Sequence, residues 1–185
     1  ISVDELLSNE KSEKKQSNYI YESRTEYDID GKKNFDIKLG GAYAVDLKAY
    51  HGEKIEVAMF SNVYKNLLAD YKVKIDDIKN RIDIDLNRFN EASEADAKES
   101  LVITIFIPVK YIGKIELSVN AGTLNITDIE NEHIEVNGKI SEVTLQGNKS
   151  EIEIDSNLDM QISVLSHEGA LEINQLSATS RLTIP

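Results

Sequence analysis

Four glutamates recur in the C-terminal part of the chain at near-constant spacing: Glu116, Glu135, Glu153 and Glu172, in steps of 19, 18 and 19 residues. Each is the centre of an apolar–Glu–apolar tripeptide: "IEL", "IEV", "IEI" and "LEI". Carboxylates gathered into one column offer three kinds of chemistry. They could share a divalent cation, which takes six or more oxygen ligands. They could receive a basic partner. Two neighbours, drawn from Glu151, Glu153 and Asp155, could act as acid and base on a glycosidic bond. A flat row converges poorly on one ion, however, and a column of like charges is tolerable where it faces water. In the simplest reading the column is solvated surface that keeps a sheet soluble and discourages edge-to-edge aggregation. The residues assign no catalytic, cofactor-binding or metal site, and the column is retained as the one candidate.

The remaining chemistry-bearing residues point to structure. "DIDGKKNFD" matches three calcium-loop positions with Asp28, Asp30 and Gly31, but Ile37 stands where a bidentate Glu is required. A β-hairpin turn is the expectation there. His51, His133 and His167 lack metal-ligand spacing. No nucleophile elbow, zinc-protease, P-loop or dinucleotide motif occurs. After Tyr111 the chain has no aromatic residue, and its only arginine there is Arg181. A sugar-cleaving site would want aromatic platforms and a basic residue beside its carboxylates. The sequons at Asn125 and Asn148 are expected by chance in so Asn-rich a chain.

The elements that would carry the column follow from hydrophobic periodicity. Tyr19, Tyr21, Thr25, Tyr27 and Ile29 alternate at the strand period of two. Phe35, Ile37 and Leu39 resume it, followed by strands through Val45 and Leu47, Ile55 to Met59, Val73 and Ile75, and Ile82 to Leu86. "NVYKNLLADY" suggests a short helix around Val63, Leu67 and Leu68, and residues 90–100 read as an exposed loop. "LVITIFIPV", apolar at nearly every position, predicts a strand covered on both faces. Beyond Ile112 a second apolar-alternating piece travels with the IEx motif: "LNI" at 124, "VTL" at 143, "ISV" at 162 and "LTI" at 182.

Two strands per repeat, at a period near 19 residues, predict an all-β single-stranded solenoid of β-helix type. A β-sandwich is the competing arrangement. Stacking would align Ser118, Asn137, Asp155 and Asn174, the last three as turn or ladder residues bonding nearby backbone. It would also align Asn125, Thr144, Ser163 and Thr183 as β-compatible surface. The expected organisation is a charged arm over 1–18, a β-rich part over 19–111 that caps or begins the stack, and repeats over 112–185. Residues 19–185 then form one continuous domain.

Composition narrows the partners. The formal net charge of −12 over 185 residues disfavours nucleic acid and anionic lipid, so an electrostatic partner should be cationic. Cysteine is absent, which removes disulfides and thiolate chemistry. No run of 18 apolar residues and no signal peptide occurs, and the first residue is Ile, as in an excised or processed fragment, which leaves room for a lost leader or anchor.

The order of elements resembles a known bacterial family. Its marks here are the β-rich "FDIKLGGAYAVDLKAYHGEKIEVAMF", the strand "LVITIFIPVKY", repeats of the type "KIELSVNAGTLNITDI", and glycines at 122, 138, 147 and 169. It is the putative-adhesin family of unknown function, similar over residues 19–185. The resemblance implies a β-helix-like fold, no catalytic residues and no cofactor. It also implies a place at the cell envelope, outside the cytoplasm or held by a membrane anchor that this chain lacks; a cytoplasmic place stays open. The expected function is a non-enzymatic module contacting protein, extracellular matrix or cell-wall material, with self-association through the solenoid end. The alternatives are a regulatory module in envelope-stress signalling and a polysaccharide-active β-helix enzyme.

Overall fold

A computed structural model describes residues 21–61, 68–88 and 94–185, without the side chains of 87–88 and 94–95. The expected arm over 1–18, Tyr19, and the expected helix positions Val63 and Leu67 lie outside the described residues. The strands are β1 (Tyr21–Asp28), β2 (Lys33–Tyr50), β3 (Lys54–Ser61), β4 (Tyr71–Ile78), β5 (Arg81–Arg88), β6 (Val102–Pro108) and β7 (Ile112–Thr127). They continue as β8 (Glu130–Gln146), β9 (Asn148–Ser156), β10 (Gln161–Val164), β11 (His167–Asn174) and β12 (Thr179–Ile184). One short helix, α1 (Glu94–Ser100), precedes β6. Among the described residues no helix is long and apolar enough to cross a membrane.

The all-β expectation holds. The strands form one large mixed sheet in the order β1-β3-β6-β2-β7-β8-β9-β11-β12, with β10 on β8 and the β4–β5 pair on β2. The sheet is open, and its pairing does not by itself establish a β-helix. Successive strands do run parallel at the repeat distance: Ile115 pairs with Ile134, Ile134 with Ile152, and Leu171 with Ile152. Their buried side chains belong to one hydrophobic cluster reaching from Ile29 to Leu171.

Four expectations are corrected. Asp30-Gly31 makes a bend but no hairpin: β1 pairs antiparallel with β3, while β2 pairs with β5, β6 and β7. The apolar strand β6 is inserted between β2 and β3, parallel to one and antiparallel to the other, and is buried along nearly its whole length. Burial on both faces draws it inward, and β1 takes the edge. Second, "FDIKL" and "AYAVDLKAY" are one continuous strand, with one extra residue at Gly40-Gly41 absorbed as a bulge against β7. Third, the expected loop over 90–100 is helical from Glu94, and α1 packs on β2 with Ala97 fully buried. Two alanines, Ala95 and Ala97, are the only apolar residues of "EADAKES" and leave almost no helical stripe to detect. Fourth, Thr183 does not join the Asn125, Thr144, Ser163 column. Asn125 aligns with Thr144 and Thr144 with Ser163, whereas β12 turns back antiparallel and sets Thr183 against Ala170.

Gly138 lets β7 and β8 approach. Its φ is +147°, and a Cβ there would lie 1.7 Å from the carbonyl oxygen of Val119, so no other residue fits without moving backbone.

Candidate functional site

The strand period puts one outward side chain between each pair of core residues, and parallel in-register pairing then stacks those side chains. Glu116 stands opposite Glu135, Glu135 opposite Glu153, and Glu153 opposite Glu172. The row is longer than the repeat suggested. Asp36 on β2 pairs with Glu116, Asp83 on β5 with Asp36, and Asp76 on β4 with Asp83. Seven carboxylates thus cross seven strands, neighbours about 4.8 Å apart along the ladder. Two of the three added members, Asp36 and Asp83, carry a legible signal, since "FDI" and "IDI" are the same apolar–acid–apolar tripeptide, whereas Asp76 sits in "IDD".

Cations guard the ends of this row. The Arg81 guanidinium donates Nε to Asp83 Oδ1 at 2.6 Å and Nη2 to Oδ2 at 3.0 Å. Those bonds, with attraction from Asp36 and Glu116, hold its pKa above the usual arginine value. At the far end Arg181 faces Glu172 and donates Nη2 to its Oε1 at 3.0 Å. Lys74 and Lys38 flank the first half of the row, joined through Asp85, and Lys74 approaches Asp76 at 3.5 Å. In the second half the flanking positions are Ser118, Asn137 and Asp155.

The middle of the row is therefore uncompensated. Glu135, Glu153 and Asp155 can each offer an oxygen within 4.8 Å of the others, the one such acidic trio among the described residues. Desolvation raises the pKa of Glu153, and repulsion from Asp155, Glu172 and Glu135 raises it further, against a small attraction from His133. Asp155 Oδ1 accepts a hydrogen bond from Asn174 Nδ2 at 2.5 Å, a side-chain rung across strands rather than the expected bond to local backbone. Three oxygens on one flat face would leave at least half of a hard cation's shell to water.

A hollow of about 370 Å³ adjoins the trio, lined by Glu151, Glu153, Glu172 and Arg181 among others. Carboxylates beside a basic residue are the geometric condition a polysaccharide-cleaving site would need. Arg181 is committed to Glu172, however, and no aromatic side chain lines the hollow.

The remaining sequence candidates scatter. His133 Nδ1 lies 3.9 Å from Glu151, and His51 is exposed in the bend between β2 and β3. His167 is buried on β11, where burial lowers its pKa. Asp28 approaches Lys54 and Asp30 approaches Lys33, while Ile37 is wholly buried in the core, which removes the calcium-loop geometry. Both sequon amides are occupied. Asn125 Nδ2 donates to Asp46 at 2.6 Å, and buried Asn148 donates to the Ile126 carbonyl while accepting from the Ile129 amide.

No family model matches the chain, and no curated protein matches it. Solved structures do. A putative cell adhesion protein from Clostridium sporogenes aligns over 82% of this chain and 76% of its own, at 10% identity and a TM-score of 0.53. A putative adhesin from Parabacteroides merdae covers 85% of this chain and 80% of its own, at 11% identity and a TM-score of 0.33. A putative lipid binding protein from Parabacteroides distasonis covers 84% and 65%, at 10% identity and a TM-score of 0.42. The neighbours thus include proteins with adhesin names, in keeping with the resemblance read from strand order. At these identities the likeness is one of fold, and of these three it is the Clostridium structure that carries it.

Proposed function

We propose that the chain is a non-enzymatic, adhesin-like interaction module of the bacterial cell envelope, whose acidic row docks a cationic protein segment or matrix component. One observation carries this reading. Seven carboxylates line up across seven strands, and the sheet compensates the ends of the row but leaves Glu135 and Glu153, with Asp155 in the flanking column, half-buried and without a Lys or Arg partner among the described residues. Glutamine would relieve that repulsion at no steric cost, so the charge is better explained by what it attracts. The likeness in fold to a protein named for cell adhesion supports the same class and an extracytoplasmic place.

The architecture we infer for the row is a coil. β7 and β8 are parallel neighbours joined by only Asp128 and Ile129, and β8 and β9 by only Gly147. Straight parallel strands need a crossover of a dozen or more residues. Each long strand must therefore contain its own return path, as a single-stranded β-solenoid does. Residues 19–111 would begin that stack and 112–185 extend it, in one domain.

Retention on immobilised polylysine tests the function. The variant Glu116→Gln/Glu135→Gln/Glu153→Gln should elute at lower salt than a control losing three carboxylates elsewhere, Glu26→Gln/Asp28→Asn/Glu132→Gln. Equal loss in both variants would reduce the interaction to net charge and remove the row as a site.

A further inference from the structure

The interior of the sheet is open at one end. Val57, Ile105, Leu47, Ile126, Leu145 and Val164 form one column across β3, β6, β2, β7, β8 and β10. The first five are at most 1% exposed, and Val164 is 37% exposed. A second column runs Ile115, Ile134, Ile152, Leu171 and Leu182. Its first four members are at most 2% exposed, and Leu182 is 57% exposed. Leu165, next to Val164, is 65% exposed. Directly opposed residues of an antiparallel pair share a face, so Leu182 points as Leu171 does, toward the interior, with no further layer over it among the described residues.

The free strand edges differ in kind. Among the described residues β1 pairs only with β3 and carries Glu22, Arg24, Glu26 and Asp28, while β4 pairs only with β5 and carries Lys72, Lys74, Asp76 and Asp77. Charges of that sort guard an edge against addition of another strand. β10 and β12, each with one partner strand, have no such guard. β10 reads "QISV" without a charge, and the one charge of β12, Arg181, is committed to Glu172. The chain has 33 acidic residues, yet these two strands hold none.

We propose that this end is a docking surface for a second copy of the chain, joined through the same end by β12-to-β12 pairing about a two-fold axis. Charge selects the occupant. Of the carboxylates near β12, Glu153 and Glu172 share a hollow with Leu182 and Thr183, and Glu172 is already bonded to Arg181; β12 itself carries none, so two copies of a chain carrying −12 pair along it without acids directly opposed. The strand is also self-complementary. In the antiparallel register centred on Leu182, Leu182 meets its counterpart, Arg181 faces Thr183 and Ser180 faces Ile184. Centring on Arg181 instead would oppose two guanidinium groups. Pairing along the edge satisfies the outward backbone groups of β12 and covers Leu182, the two gains of strand addition. The proposal does not depend on what the acidic row binds.

Sedimentation across a wide concentration range tests it. Wild type should approach twice the single-chain mass when concentrated and dissociate on dilution. Leu182→Lys/Leu165→Lys should stay at single-chain mass, while Ile78→Lys, a like change on guarded β4, should behave as wild type. Amide exchange on wild type needs no variant: β12 amides should gain protection as concentration rises. A wild type of single-chain mass with β12 unprotected at every concentration overturns the proposal. So does a dimer that survives both leucine changes.

Discussion

Glu135 and Glu153 stand directly opposite each other on parallel neighbours β8 and β9, with Glu172 continuing the line and Asp155 two residues along. Like charges in that relationship destabilise a sheet by roughly 0.2–1 kcal/mol per pair, and the pKa of Glu153 is raised first by desolvation and then by repulsion from Asp155, Glu172 and Glu135. A carboxyl with a folded-state pKa above its usual 4.5 costs nothing while protonated and destabilises once pH rises through that pKa. Glu153→Gln should therefore melt about 1–4 °C higher than wild type at neutral pH. Below the usual carboxylate range the two should converge. Melting curves from acid to neutral pH check this.

Asn148 is the polar residue on which the β7–β8 connection depends. Its side chain is 1% exposed and bonds the Ile129 amide at 3.0 Å and the Ile126 carbonyl at 2.8 Å. Asn148→Ala would strand both groups, at roughly 1–3 kcal/mol each. Chemical denaturation should show a loss of about 2–4 kcal/mol. A loss below about 1 kcal/mol would mean that water replaces the amide.

Gly138→Ala combines an unfavourable φ with a clash against the Val119 carbonyl. Backbone strain alone costs about 1–3 kcal/mol, and the clash adds to it. Thermal unfolding should fall by about 6 °C or more, while Gly31→Ala, which meets nothing within 4 Å, should leave it nearly unchanged.

Much of this fold was legible because burial on one face writes itself as alternation. Ile115, Ile134, Ile152 and Leu171 announced both their strands and their stacking through a constant step. Direction was not legible: "LTI" at 182 alternates the same way forwards and backwards, so nothing in it distinguished parallel stacking from the antiparallel return of β12. Partner choice was hidden for a similar reason. The Asp30-Gly31 turn is local, but the competition that places β6 between β2 and β3 is decided by burial of residues far apart in the chain. The acidic row was half visible. Its repeat members share a period, whereas Asp36, Asp83 and Asp76 join through strands whose spatial order, β4-β5-β2, is not their chain order.

On the proposed reading, Glu135 and Glu153 of the acidic row trade stability for attraction to a cationic partner. Calorimetric melting of wild type and Glu135→Gln/Glu153→Gln, each with and without saturating decalysine, tests both halves together. The variant should melt higher than wild type alone, and should lose most of the upward shift that bound peptide gives wild type. A variant that melts no higher and shifts as far as wild type would rule out a docking role and leave the row as ordinary solvated surface.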